Sequence, residues 1–349
     1  MLSIFGVALI SSAIAGNIEL VDHPQRQTIF LIIGLAVLLI TSAFDYHYWL
    51  TLTTPLYIVT LVFLIYIFIT AQARFGAARW LEVGQILIQP AELAKIVIIL
   101  ALAKYFSKNI DKVGNIGVIL KSLAITGGIV IWILLQPNLS TSIVIIVIWF
   151  AMLWISGLKV KFIIVFSSII ILFVIISALL GFPYLADYQR ARITTFFHPD
   201  PEARYGDTYN VDQALISIGS GGFLGQGYAQ STQVQLRFLK IRHSDFIFSV
   251  LAAEFGFVGT TIVMFLLIFV IFRCFRVAQT AADAYGSLIA YGFGILFAFQ
   301  TVVNVGVNLN IVPVTGLTLP FISYGGSSLF SLLLGIGLIE SITMRSEAR

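Results

Sequence analysis

Charge is what this sequence has least of. Only 10% of its 349 residues are Asp, Glu, Lys or Arg, against roughly 25% in soluble globular chains. A soluble enzyme and a disordered chain are both excluded by that balance. There is one cysteine, Cys274, so no intrachain disulfide forms, and the four histidines show no zinc-ligand spacing with it. The net charge of +4 is spread over many loops with no basic block, which argues against a nucleic-acid partner. No basic segment precedes the first apolar stretch, Leu2–Ala15, so it reads as a first span rather than a cleavable signal.

What is present is apolar. Hydrophobic residues make up 59% of the chain and the mean hydropathy is +1.01. A membrane-spanning helix takes ~20 such residues, which suggests about ten spans. Ten apolar runs lie near 2–16, 28–44, 48–70, 91–106, 115–135, 139–156, 161–181, 244–272, 284–307 and 322–343. Lipid offers backbone groups no partner, so the spans are expected to be helices. Ile143–Phe150 lacks the alternation of a barrel strand. The expected fold is an all-α integral membrane protein, one polytopic domain over 1–349 with about ten transmembrane helices. Lys104, Lys108, Lys112, Lys159, Lys161, Arg273, Arg276, Arg345 and Arg349 fall in one set of short loops, and Arg26, Arg74 and Arg79 in the other. The positive-inside rule puts the first set, and both termini, in the cytoplasm.

The longest break, 182–243, spans 62 residues and holds 11 of the 36 charged residues. It is expected as a large extracytoplasmic loop between helices 7 and 8, partly ordered, because connections of this length are usually functional.

Five motifs carry chemistry. Arg74–Gly84 is followed by Gln89-Pro-Ala-Glu92-Leu-Ala-Lys95. Arg79 and Trp80 suit an amphipathic interfacial segment. Glu92 and Lys95 share a helix face at membrane depth, where charges mark a site or pair with each other. Gln136-Pro-Asn-Leu-Ser-Thr-Ser142 either lines a site or simply ends one helix and caps the next through Asn138. The long loop carries Arg190, Arg192, Tyr209–Gln213 and Gly219–Gly227. The glycine cluster fits neither nucleotide-loop pattern and reads as tight turns in a surface pocket. His243-Ser-Asp245 enters the eighth span, with Glu254 about two and a half turns deeper. Burial there should raise the pKa of Asp245, which suits a general base; the plainer alternative is a helix N-cap. Finally, Asn304, Asn308, Pro313–Gly316 and Leu319–Ser328 read as a re-entrant turn lining a cavity, or as an ordinary surface loop.

Together these residues resemble the SEDS family (shape, elongation, division and sporulation proteins), with its RodA and FtsW branches, over about residues 1–343. The resemblance rests on Gly76–Trp80 with Gln89–Lys95, Gln136-Pro137, Gly219–Gly227, His243–Phe248 and Ser323–Ser328. Thr232-Gln233-Val-Gln-Leu236 is closer to the elongation branch, RodA. Where the family commonly has Asp and Gly, this chain has Asn138 and Ser140. Leu239-Lys-Ile-Arg-His243 also departs from the family's usual Leu-Pro-Glu before that His. The resemblance implies a peptidoglycan glycosyltransferase in the bacterial cytoplasmic membrane, acting on lipid II in cell elongation beside a class B penicillin-binding protein. It also implies that Asp245 is the essential acid.

The mechanism expected from this is a single inverting displacement. Asp245 takes the proton of the acceptor 4-hydroxyl, that oxygen attacks the donor anomeric carbon, and undecaprenyl diphosphate leaves. Arg79, Lys95, Arg190 and Arg192 are the candidate cations for the diphosphate. Glu92, Gln136, Gln213, Gln233, His243, Glu254 and Ser327 complete the candidate substrate-binding set. A divalent cation would suit a diphosphate, but no ligand cluster is visible, so no cofactor or metal site is predicted. Two other classes are a lipid-linked-sugar flippase and a non-catalytic scaffold for the penicillin-binding protein. A flippase needs a polar path across the whole bilayer, whereas Glu92, Lys95, Asp245 and Glu254 gather near the outer face.

Overall fold

The computed structural model describes residues 1–14, 16, 20–72, 81–83, 86–179, 181, 187–199, 206–239 and 242–346. The long helices are α1 (Leu2–Ile14), α2 (His23–Ala43), α3 (Tyr48–Gln72), α4 (Pro90–Lys108), α5 (Ile116–Leu135), α6 (Leu139–Ile155) and α7 (Val160–Leu179). Three helices follow within the long loop: α8 (Asp187–Phe197), α9 (Asp207–Gly221) and α10 (Thr232–Gln235). The chain closes with α11 (Ile247–Thr280), α12 (Ala284–Asn308) and α13 (Gly326–Ser346). A short antiparallel hairpin pairs β1 (Leu81–Val83) with β2 (Ile86–Ile88).

Local sequence sets many of these ends. Pro24 and Pro90 sit in the first turns of α2 and α4, where a missing N–H costs nothing. Asn115, Asn138 and Asp283 cap α5, α6 and α12 through their side-chain oxygens. The core lies around α12, where Ile289, Phe293 and Phe297 meet Ile98, Ile99, Ile148 and Met152, all fully buried. Leu39, Ile40, Ile58, Val59 and Val62 are exposed on α2 and α3, as lipid-facing positions would be.

Helices occupy all ten apolar runs, and among the described residues six stand out as long and apolar enough to cross a membrane: α2, α3, α5, α11, α12 and α13. Among the others, α1 and α6 are apolar but have only 13 and 17 residues, and α4 carries Glu92, Lys95, Lys104 and Lys108. Six crossings therefore stand on length and composition among the described residues, and α7, with 20 residues and one charge, fills the seventh expected run. The eighth run also starts later than expected, at Ile247, which leaves His243–Asp245 in the preceding turn.

The Gly219–Gly227 cluster lines none of the cavities described below. It supports a break in α11. Gly256 leaves helical geometry at φ 64° and ψ −163°. Two carbonyls freed by the break, Ala253 and Glu254, accept from the backbone N–H of Gln226 (2.9 Å) and Gly227 (3.0 Å). Two freed N–H groups, of Phe257 and Val258, donate to the carbonyls of Gly222 (2.9 Å) and Phe223 (3.1 Å). Backbone irregular at membrane depth survives only when other protein satisfies it in this way. The approach is so close that a Cβ at Gly221, Gly225 or Gly256 would strike backbone atoms across the junction.

Gly225→Ala should therefore destabilise the protein by about 2–4 kcal/mol, from a left-handed φ plus overpacking. Gly219→Ala, at a helical position with open space around it, should be neutral or stabilise by a few tenths of a kcal/mol. Thermal unfolding of both variants in detergent checks the contrast.

Candidate functional site

A cavity rich in polar side chains encloses about 440 Å³ and is built where several helices begin. Arg26 and Phe30 come from the start of α2, Gln89 and Glu92 from α4, and Asn138, Ser140 and Thr141 from α6. Ser244 and Asp245 precede α11, and Gly326, Ser327 and Ser328 open α13. A helix start carries N–H groups without intrahelical partners and the positive end of the dipole, so a cavity among several of them favours an anion. Thr315–Thr318, Tyr324, Gln300, His243 and Arg192 complete the wall.

Asp245 is fixed through its backbone. Its carbonyl accepts from Asn304 Nδ2 (3.0 Å) and Asn308 Nδ2 (2.9 Å), both on α12. Asn308 Oδ1 in turn accepts from the N–H (3.1 Å) and Oγ (2.6 Å) of Ser249. The neighbouring residues are held from the other side: Ser323 Oγ donates to the Ser244 carbonyl (2.7 Å) and the Tyr324 N–H to the His243 carbonyl (2.9 Å). The side chain does not cap the helix. The N-cap is Phe246, whose own side chain makes no capping bond, and the Ser249 N–H of the first turn is taken by Asn308 Oδ1 instead, so Asp245 is not the cap. Its Oδ2 lies 3.8 Å from the point where Gly316 would carry a Cβ, and Gly316 has φ +77°. A side chain at 316 would be strained and would crowd the carboxyl.

Burial pushes the Asp245 carboxyl above its ordinary value, and Asp207 adds to the push. The Ser244 hydrogen bond and the Arg192 charge pull the other way without prevailing. Arg192 is itself tempered, with its Nε 3.4 Å from Asp207 Oδ2 and its Nη1 donating to the Val314 carbonyl (3.3 Å). His243 goes down to about 4, first through burial and then through the charges of His23 and Arg242. It is therefore a neutral imidazole at pH 7, edge-on to the His23 ring at 5.3 Å.

The structure brings Glu92, Arg192, His243, Asp245 and Ser327 of the expected set to one cavity. Lys95 is not on it. Its ammonium is 1% exposed and lies 2.8 Å from Glu92 Oε1, while Ser331 Oγ donates to Glu92 Oε2 (3.4 Å). The pair along the helix thus absorbs Lys95 and presents Glu92 as a held carboxylate. Gln136 donates to the Leu64 carbonyl (2.9 Å) away from the cavity. Arg190 on α8, Gln213 on α9 and Gln233 on α10 do not line it either. Glu254 sits beside the α11 break, where Ser12 of α1 donates to Oε1. Arg79 falls outside the described residues. Among these residues no group of His, Cys, Asp or Glu is arranged to hold a metal ion.

Sequence reasoning missed Arg26 and Gln300, both on the cavity wall. Arg26 counted only as a loop charge, and Gln300 is a lone polar residue within an apolar run. Asn138 was noticed and does two things. It caps α6 by accepting from the Thr141 N–H (3.3 Å), and it faces the cavity.

Comparison with known proteins agrees with this architecture. A family model for FtsW, RodA and SpoVE, described as "Cell cycle protein", matches residues 1–348. The probable peptidoglycan glycosyltransferase FtsW of Tolumonas auensis is 34% identical over 97% of this chain and 89% of its own. The peptidoglycan glycosyltransferase MrdB of Escherichia coli is 32% identical over 98% of this chain and 90% of its own. A solved chain from a peptidoglycan synthase complex, studied for coordination of polymerization and crosslinking, superposes with a TM-score of 0.82 at 28% identity, covering 100% of this chain and 97% of that one. This chain belongs to the FtsW/RodA/SpoVE family, the SEDS proteins.

Proposed function

We propose that this chain is a peptidoglycan glycosyltransferase that polymerises lipid II at the outer face of the cytoplasmic membrane, with Asp245 as its general base. The observation that carries the reading is the Asp245 carboxyl, uncapped and buried at the wall of a cavity ringed by helix N-termini. A base needs its proton affinity raised toward the working pH, and burial supplies that here. Asp245 takes the proton of the acceptor 4-hydroxyl while the oxygen forms its bond to the donor anomeric carbon. The bond from that carbon to the diphosphate oxygen breaks, and inversion needs no covalent intermediate. Arg26 and Arg192 are the cavity cations for the leaving diphosphate, in place of the expected Lys95 and Arg190. The helix starts add N–H donors to the same charge. Glu92 accepts hydrogen bonds from sugar or peptide groups.

Both termini lie in the cytoplasm on this reading, and a class B penicillin-binding protein is the partner that cross-links the product. The Thr232–Leu236 segment supports a role in elongation. The relatives named FtsW and MrdB differ little in identity, at 34% and 32%, so branch is assigned by that segment alone. The concentration of polar side chains in one cavity at the helix starts suits surface chemistry better than a path for flipping.

Asp245→Asn keeps shape and removes the base. With its penicillin-binding partner, the purified variant should polymerise fluorescent lipid II about 10²–10⁴-fold more slowly than wild type. Glycan chains resolved on gels report this; equal activity in the folded variant would refute the assignment.

The pH profile is a second test. The ionised carboxylate is the active form, so the rate falls as pH drops through the Asp245 pKa, and this acid limb lies above the ordinary ~3.9 of Asp. Arg192, Asp207, Ser244 and His243 surround the group, and His243 stays neutral down to about pH 4. His243→Gln should therefore leave the position of the limb unchanged, whereas Asp207→Asn should move it to lower pH. Loss of the limb in His243→Gln would assign the titration to the imidazole instead.

A further inference from the structure

A second cavity lies between α3, α4 and α5, remote from Asp245. It encloses about 490 Å³ and is lined by Thr53, Thr54, Tyr57, Ala101, Lys104, Tyr105, Lys108, Ala124 and Ile125. That volume suits a small-molecule site, which usually falls between about 300 and 1,000 Å³. The floor is apolar, from Ala101, Ala124 and Ile125. The charged groups are Lys104 and Lys108, one turn apart on α4, and the hydroxyl residues Thr53, Thr54, Tyr57 and Tyr105 stand around them. Lys104 Nζ donates to Thr54 Oγ1 (2.8 Å), which uses one of three ammonium donors. Among the described residues, no carboxylate lies within ion-pair distance of Lys104 or Lys108.

The surrounding charge is one-sided. Between Glu92 and Asp187 the sequence has a single acid, Asp111, against Lys104, Lys108, Lys112, Lys121, Lys159 and Lys161 beyond the paired Lys95. Lys159 is folded back toward this end of the bundle, with its Cε 3.6 Å from the Cβ position of Gly114. Beside the groove, α5 presents exposed Ile116, Leu120 and Leu123, and α3 presents exposed Leu52, Ile58 and Val59. A ligand seated here thus meets cations at one end and an open apolar flank along its length.

We propose that this groove holds an anionic phospholipid, its phosphate against Lys104 and Lys108 and an acyl chain along Ala101, Ala124 and Ile125. Basic pockets between transmembrane helices take acidic head groups for this reason. A zwitterionic lipid supplies the chain but cancels the charge. A free phosphate ion supplies the charge but leaves the apolar floor uncovered. The inference requires only that the chain is membrane-embedded and stands apart from the chemistry at Asp245.

The test is lipid retention by the full chain in detergent, counted by native mass spectrometry after titration with phosphatidylglycerol or phosphatidylcholine of matched chains. Phosphatidylglycerol should bind wild type about tenfold more tightly than phosphatidylcholine, on the scale of two cations near an acidic head group. The Lys104→Gln/Lys108→Gln variant should lose that preference, and the Lys104→Arg/Lys108→Arg variant should keep it. Ala124→Trp, which fills the groove and changes no charge, should release both lipids. Millimolar inorganic phosphate should leave phosphatidylglycerol in place. Equal binding of the two lipids to wild type would overturn the proposal. So would a preference that survives both the glutamine pair and Ala124→Trp, or full displacement by phosphate alone. Size-exclusion profiles separate misfolded variants, and the arginine pair and Ala124→Trp decide the matter if the glutamine pair does not fold.

Discussion

A backbone amide at membrane depth must find its partner inside the protein, and the rest of this structure depends on that constraint. Lipid provides no hydrogen bonds, so each unsatisfied N–H or C=O there costs several kcal/mol. Two departures from helix among the described residues find their partners within the protein. One is the break at Gly256, closed by the 221–227 segment through four backbone hydrogen bonds. The other is the stretch from Leu309 to Gly325, closed by side-chain amides and hydroxyls. Gln27 of α2 serves it twice, donating to the Ser323 carbonyl (3.3 Å) and accepting from the Gly325 N–H (3.2 Å). Asn304 donates to the Leu317 carbonyl (2.8 Å) as well as to that of Asp245. The groups that satisfy the irregular backbone are thus the groups that position the candidate base.

That economy explains why the site is rigid without being built on a helix. Asp245 lies in a turn, yet α12 holds its carbonyl from one side and the 319–324 turn holds its neighbours from the other. Ser323 is the joint: it donates to the Ser244 carbonyl and accepts from the Leu319 N–H (2.8 Å). Ser327 does the same at the far wall, where its Oγ accepts from the Gln89 N–H (3.0 Å) and ties the start of α13 to the start of α4. The carboxyl itself lines the cavity. On the proposed reading, a base whose backbone is over-determined and whose carboxyl is bonded by Ser244 meets the requirement of preorganisation.

The sequence made the helices legible because apolar runs leave few alternatives in lipid, and it made Asp245 legible because an isolated acid at the head of such a run is costly. Other features escaped for physical reasons. Lys95 looked like a free cation, since spacing of three fits both a shared site and a mutual pair, and only the buried 2.8 Å contact decides. Arg26 read as a loop charge because nothing local ties the start of α2 to the start of α11. The glycine cluster showed that the chain turns tightly, but not against what: its partners lie some thirty residues on, in backbone groups that any residue supplies. Composition suggests ten crossings, and helices fill all ten runs, but among the described residues length and apolarity alone single out six, because α1 and α6 are short and α4 carries charge.

The electrostatics of the cavity set a limit on how the charges can be used. Arginine close to a carboxylate lowers its proton affinity, and five helix starts add positive potential, so a base here would be weak if burial did not oppose them. Asp207 is the second counterweight. It pairs with Arg192 and pushes Asp245 upward at the same time. On the proposed reading the substrate completes the balance. A diphosphate seated against Arg26 and Arg192 brings negative charge to the same wall, and like charge disfavours the ionised carboxylate further. Donor binding would then raise the proton affinity of Asp245 when the acceptor hydroxyl needs a base. Departure of the diphosphate would lower it again and ease release of the proton. The cations of the leaving-group site and the basicity of Asp245 are thus one coupled property, which is why Arg192 has to be tempered rather than free.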